Sequence, residues 1–188
     1  AALAALVAAA PSAFGQAKAL KAEVRAIKGT ATYTTAGGPA KPVKVGLSLP
    51  ANTTIQTGPE STVDLFLGPS AGVIRLVERS TVSLSKLDQT QTGVDNVVDV
   101  QMSMPEGELY FNVNKLSQAS RYEIKMPSGV AGIRGTKGRC FHRPNGGTTP
   151  QRQLNSYTVW SSYGREIASG FDLVDPSVTI TSIDGIQV

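Results

Sequence analysis

Strand periodicity runs through this chain almost without interruption. Thr62-Val63-Asp64-Leu65-Phe66-Leu67 puts Val63, Leu65 and Leu67 on one face of an extended segment. Arg121-Tyr122-Glu123-Ile124-Lys125-Met126 alternates charged and apolar residues, and Ser177-Val178-Thr179-Ile180-Thr181 does the same with β-branched ones. Successive side chains of a strand point to opposite faces, so a period of two marks strands buried on one side. Helical periodicity is nearly absent after residue 17. Gly, Pro and Asn clusters divide the strands: Gly37-Gly38-Pro39, Leu49-Pro50-Ala51-Asn52, Gly58-Pro59, Gly68-Pro69, Pro105-Glu106-Gly107 and Asn145-Gly146-Gly147. Turns recurring at roughly eight to twelve residues indicate a sandwich, barrel or solenoid. The expectation is an all-β fold, with many short strands in a solenoid-like or sandwich-like β stack and little or no helix. One stretch departs from the pattern: His142 to Gln153 lacks alternation and reads as a long surface loop.

The first residues are of another kind. Ala1 to Ala10 is an unbroken run of Ala, Leu and Val, followed by Pro11-Ser12-Ala13-Phe14-Gly15-Gln16-Ala17. An apolar run ending in small residues reads as the end of a secretory signal peptide, with cleavage after Gly15 or Ala17. It is shorter than the roughly 20 apolar residues a bilayer span needs. The other reading, an Ala-rich helix packed on the domain, would call for polar residues on an outer face. With no initiating Met and no basic leader, the sequence is expected to begin inside the signal. No Cys follows the run, so no lipid anchor is expected. The expected organisation is therefore a signal remnant at 1–17 and one β domain at 18–188. That domain is expected to be periplasmic or secreted, with no membrane span in the mature chain.

Strands and turns together form a larger pattern. Val24 to Ala31 is a strand, a Gly and a second strand, and Val45-Gly46-Leu47-Ser48-Leu49 follows. Then come Ile55-Gln56-Thr57-Gly58, Ser61 to Leu65, Glu106-Gly107-Glu108-Leu109, and the run from Tyr122 through Pro127-Ser128-Gly129-Val130-Ala131-Gly132-Ile133-Arg134-Gly135-Thr136. This order resembles the FecR domain, through its I-x-T-G element at Ile55–Gly58 and its P-x-G-V-A-G-I-R-G-T element at Pro127–Thr136. The resemblance covers roughly residues 24–141, with a last strand pair expected near Tyr157 to Gly170. It implies an exported module that binds protein or acts as a scaffold. FecR-type regulators join such a domain to a membrane span and to a cytoplasmic part controlling a sigma factor. No apolar run of membrane length occurs here, so direct control of a sigma factor is not expected of these residues. Gly129, Gly132 and Gly135 recur every third residue, where the backbone can turn tightly or approach another strand closely. The resemblance implies that they shape a corner of the β stack.

The net charge is +4 and unevenly spread. From Ile124 to Arg165 there are seven basic residues and no acid, whereas Thr54 to Phe111 holds eight acids against Arg75, Arg79 and Lys86. The two blocks either lie against each other or one faces a charged partner. Arg134, Lys137, Arg139, Arg143 and Arg152 are the candidate binding residues. Nucleic acid is not the expected partner, because export opposes it and the basic residues lack regular aromatic interleaving.

Catalytic chemistry finds little support. Cys140 is the only cysteine and His142 the only histidine. In a strand the two share a face, about 6.5 Å apart along the chain. A nucleophile pair also needs an orienting third group, and none is evident. Cys140 is expected to be a small core residue instead. One His and one Cys do not make a zinc site, and Asp95 and Asp99 read as solvated loop acids without calcium-loop spacing. Gly129 to Gly138 lacks the Gly-Lys-Ser/Thr ending of a phosphate loop, and Lys137 is out of order for one. Asn52-Thr53-Thr54 matches a glycosylation acceptor, a pattern short enough to arise by chance. No enzyme activity, metal or cofactor is expected. The expected partner is an envelope or periplasmic protein, an outer-membrane receptor among them. The alternative is a structural component that self-assembles or binds an anionic cell-wall polymer.

Overall fold

The structure, a computed structural model, describes residues 17–93, 95–127, 129–142, 157–160 and 166–170. The described residues form strands, turns and links without a helix. The first eight strands are short: β1 (Ala17–Ala19), β2 (Ala22–Lys28), β3 (Ala31–Thr35), β4 (Lys41–Pro42), β5 (Ser48–Leu49), β6 (Thr53–Thr57), β7 (Thr62–Phe66) and β8 (Val73–Leu76). Two long ones follow, β9 (Thr81–Thr92) and β10 (Asp95–Val113), then β11 (Arg121–Met126), β12 (Gly129–Gly132) and β13 (Thr136–His142). β14 (Tyr157–Trp160) and β15 (Glu166–Gly170) pair antiparallel as a separate ribbon, where the last strand pair was expected. The all-β expectation holds, and the layered character comes from one sheet, β1 to β13, curled on itself.

The curl gives the sheet two wings. One has the order β4-β3-β6-β9-β10-β11-β12, with β1 also lying along β9. The other has the order β5-β2-β7-β8-β10-β13. β10 belongs to both: its first half pairs with β9 and β11, its second half with β8 and β13. All these pairings are antiparallel except β10–β11, which is parallel.

Chain length alone requires β10 to bend. Arg121 pairs with Asp99, yet only residues 114–120 separate the end of β10 from Arg121. Fully extended, that return reaches about 28 Å, whereas a straight run from residue 99 to residue 113 would measure about 48 Å. The bend lies at Met104-Pro105-Glu106-Gly107, where the register with β9 slips between Ser103 and Glu106. Pro105 sits in that slip, where its missing N–H costs no ladder bond. Gly107 has φ +112°, and a Cβ there would lie 2.3 Å from Ser80 Cα. The sequence reading treated Pro105-Glu106-Gly107 as an interruption between strands. Instead it is a bulge that carries one strand from wing to wing, because pairing resumes on both sides of it.

Inside the curl lie the alternating apolar residues. Val63, Leu65 and Leu67 have 0 % exposure, and Tyr122, Ile124 and Met126 form the corresponding row on β11. Each such aliphatic side chain contributes roughly 1.5–3 kcal/mol on burial. Cys140 belongs to this core, and burial pushes its thiol pKa up.

Where the chain passes between wings, three buried hydroxyls hold the crossing segments. Ser80 Oγ accepts from Glu108 N at 2.9 Å and donates to Glu108 O at 3.0 Å. Thr57 Oγ1 accepts from Ser80 N at 2.9 Å and donates to the Val77 carbonyl. Ser61 Oγ accepts from Thr30 N and donates to Pro59 O, both at 2.8 Å. These hydroxyls satisfy backbone groups that the sheet ladder leaves behind at each crossing.

Ser80→Ala orphans the N–H of Glu108, whose carbonyl keeps its bond from Val77 N, and should cost about 1–3 kcal/mol, against about 0.5 kcal/mol for Ser83→Ala on the outer surface. Urea unfolding of the two variants measures this, and equal losses would sink the role given to Ser80. Gly107→Ala should destabilise by more than about 2 kcal/mol, because a positive φ and a backbone clash act together. In the native protein a water-soluble disulfide reagent should modify Cys140 only at the rate of unfolding. Immediate modification would show that the thiol is not in the core.

Candidate binding face

The outward residues of the second wing differ in kind from those inside. Register aligns Asp64 on β7, Arg75 on β8, Tyr110 on β10 and Arg139 on β13 in one row across four strands. The next outward row is Phe66, Val73, Asn112 and Lys137. Glu108 and Phe141 face each other on β10 and β13 on the other side of the first row. The twofold period of each strand turns these residues away from the core, and the pairing of strands distant in sequence brings them together. Val73, Asp64, Phe141 and Glu108 are buried there, Arg75, Tyr110, Arg139, Phe66 and Asn112 half-buried, and Lys137 exposed.

Their contacts make a connected surface. Arg75 holds Asp64 in a two-pronged pair, Nε to Oδ1 at 2.6 Å and Nη2 to Oδ2 at 2.7 Å. Hydrogen bonding to Asp64 raises the Arg75 pKa further, so its charge is permanent. Arg139 Nε lies 2.7 Å from Glu108 Oε1. The Arg139 guanidinium also stands 5.0 Å from the Phe141 ring centre and 5.8 Å from that of Tyr110. Burial, then its hydrogen bond with Glu108, pushes the Tyr110 phenol above its ordinary pKa, so the ring stays neutral. On the neighbouring strand Arg25 covers the Phe66 ring at 4.6 Å and pairs with Glu23 at 3.2 Å. Guanidinium groups held over aromatic rings form a flat, stiff, amphipathic surface. Arg and aromatic residues are also the types that carry most of the energy of protein–protein contacts.

The sequence candidates fall in different places. Arg139 is in the first row and Lys137 is exposed in the second. Arg134 turns elsewhere: its guanidinium donates to Gln118 O at 3.1 Å and Ser120 O at 2.8 Å, pinning the return loop of β10. Arg143 and Arg152 lie outside the described residues, as does the rest of the proposed loop after His142. Gly129 and Gly132 begin and end β12, and the Gly135 backbone packs against the return loop, where a Cβ would sit 2.3 Å from Lys115 Cα. Cys140 and His142 share the inner face of β13, both buried, not a cleft.

Asp95 and Asp99 correct the loop reading, since both belong to β10. Burial works against the Asp99 carboxylate, but hydrogen bonds from Lys86 and Gln101 hold its pKa below the ordinary value. The alternation of strand β10 extends through Val97 and Asn96 to the β9 turn, so these acids are strand residues facing outward. Sequence reasoning missed Arg25, Phe66, Arg75, Glu108 and Tyr110 as members of a face. The outward spacing of Lys137, Arg139 and Phe141 was available, but their neighbours come from β10 and β8, which only the register reveals.

Comparison with known proteins bears on the same strands. The family described as FecR protein matches residues 53–149, just over half of the 188 residues. No curated protein and no solved structure gives a significant match. The matched region includes β6 to β13, and so both wings, the bend in β10 and most of the face just described. Its two recognisable elements are the end of β6 with the following Gly58, and the run from the end of β11 to the start of β13. The chain belongs to the FecR protein family.

Proposed function

We propose that this chain is a non-catalytic binding module of the cell envelope, which docks a protein partner through the outer face of its second wing. The observation that carries this reading is the row Asp64, Arg75, Tyr110, Arg139, flanked by Arg25 over Phe66 and by Lys137. Such a face offers rigid aromatic area and guanidinium donors, which lose little conformational entropy on binding. Membership of the FecR family supports a signalling-related role among envelope proteins, an outer-membrane receptor or a membrane-spanning regulator being the class of partner. The apolar run at Ala1 to Ala10 supports export to the periplasm or beyond. The burial of Cys140 supports the non-enzymatic reading, because its raised pKa keeps it a thiol and water is excluded from it.

A second reading draws on the first wing. Its outward residues Thr34, Thr54, Ser83 and Ser103 align in one register row across β3, β6, β9 and β10. Four hydroxyls in line, about 4.8 Å apart from strand to strand, suit a polyhydroxylated polymer of the cell wall.

Crosslinking capture from native envelopes, read by mass spectrometry, separates the two. A protein partner should be recovered by the unmodified chain and lost about tenfold or more with Arg25→Glu plus Lys137→Glu. Lys44→Glu, on the exposed link before β5, should leave capture unchanged. Undiminished capture by the double variant removes the second-wing face, and recovery of cell-wall material alone selects the polymer reading.

A further inference from the structure

We infer that β10, β11 and β13 form a site for a soft monovalent metal ion, Cu(I), with Met104, Met126 and His142 as its ligands. β11 and β13 lie along the same edge of β10 but approach the bend from opposite ends. β11 runs parallel to β10 as far as Ser103 beside Lys125, and Met104 and Met126 are the next residues of the two strands. β13 runs antiparallel and ends with His142 opposite Gly107, on the other side of the bulge. The inner faces of the three strands therefore carry two thioethers and an imidazole on the two sides of one bulge. Met104, Met126 and His142 are 0 %, 7 % and 5 % exposed.

Ordinary core packing accounts for methionines, which fill irregular gaps well. It does not account for the histidine. Nδ1 of His142 is buried and has no hydrogen-bond partner, so folding strips its water and returns nothing from the protein. Neutral imidazole nitrogen and thioether sulfur are soft or borderline donors, and thioethers select Cu(I) over the harder divalent ions. The sequence argument against metal counted only His, Cys and carboxylates, and so passed over the thioethers. The chain has three methionines and one histidine, and two of the former and the latter lie at the strand positions around this bulge. An entry path is short: Pro105, Glu106 and Pro127, next in sequence to the ligands, are all exposed. Met102 is a natural control. It is equally buried, but one step along the strand, beside Ile124 and Leu84.

The test is a competition titration of Cu(I) against bicinchoninate under anaerobic conditions. It uses the full chain carrying Cys140→Ala, which removes the one thiol that could bind copper adventitiously. The parent should withdraw one equivalent of Cu(I). His142→Leu and Met104→Leu should each weaken binding about tenfold or more, while Met102→Leu should stay within about twofold. Met→Leu conserves volume, and circular dichroism confirms that each variant is folded. No withdrawal by the Cys140→Ala chain overturns the site. So does binding that survives both His142→Leu and Met104→Leu, or that Met102→Leu weakens as much as Met104→Leu.

Discussion

The two hydrogen bonds between Ser80 Oγ and the backbone of Glu108 sit where β10 changes wings, and the rest of the fold hangs on that crossing. Without the bend, residues 114–120 are too short to return β11 to the first half of β10. Without β11, β12 has nothing to pair with. The bend strips ladder partners from the backbone at its own position, so a polar group must stand there to replace them. Ser80 does so from the β8–β9 link, and Thr57 fixes Ser80 in turn. The space between the links and β10 is so small that residue 107 has no room for a side chain. The constraint is reciprocal, since each crossing segment is held by the next.

Because the second wing is bent around the core, its two faces serve different purposes on the same strands. β13 shows this residue by residue: Lys137, Arg139 and Phe141 point out, while Gly138, Cys140 and His142 point in. Gly138 has no side chain because the Phe111 ring occupies that volume, 2.4 Å from where a Cβ would be. Outside, the half-buried Arg139–Glu108 pair is weak evidence of stabilisation, because desolvating two charges offsets their attraction. What the pair does is orient. A guanidinium fixed by a carboxylate on one side and by two rings on another cannot swing freely, and its remaining donors point in a defined direction.

The elements with strong period-two alternation were legible in the sequence with nearly their true limits: Thr62 to Leu67, Arg121 to Met126, and the Gly-split pair Val24 to Ala31. They are legible because burial on one side imposes the pattern locally. The break at Pro105-Glu106-Gly107 was misread, since a bulge and a turn use the same residues. Only the pairing on either side tells them apart. The Val45 to Leu49 segment shrank to the two residues of β5, because it lies at an open edge of the sheet with one partner strand. The binding face was illegible for a different reason. Its first row joins residues 64, 75, 110 and 139, and no local rule relates positions so far apart. The opposed charge blocks were a faint trace of it, since Glu108 of the acidic block does meet Arg139 of the basic one. Two other acids of that block, Asp64 and Asp99, pair with Arg75 and Lys86 of their own half.

Alternation along β13 also ties the outer surface to the inner cluster. Arg139 and Phe141 flank Cys140 in sequence, and His142 follows directly, so a shift of this strand moves both faces together. The strand is held on one side by seven register pairs with β10, from Gly107 to Val113. A ligand that linked His142 to Met104 and Met126 would join the end of β13 to both other strands at the bend, the one point where pairing alone leaves a gap. Such a tie would stiffen the strand that carries Arg139 without altering any outward contact. The bend in β10 is thus both the place where the fold loses backbone partners and the place where inner and outer chemistry come within a residue of each other.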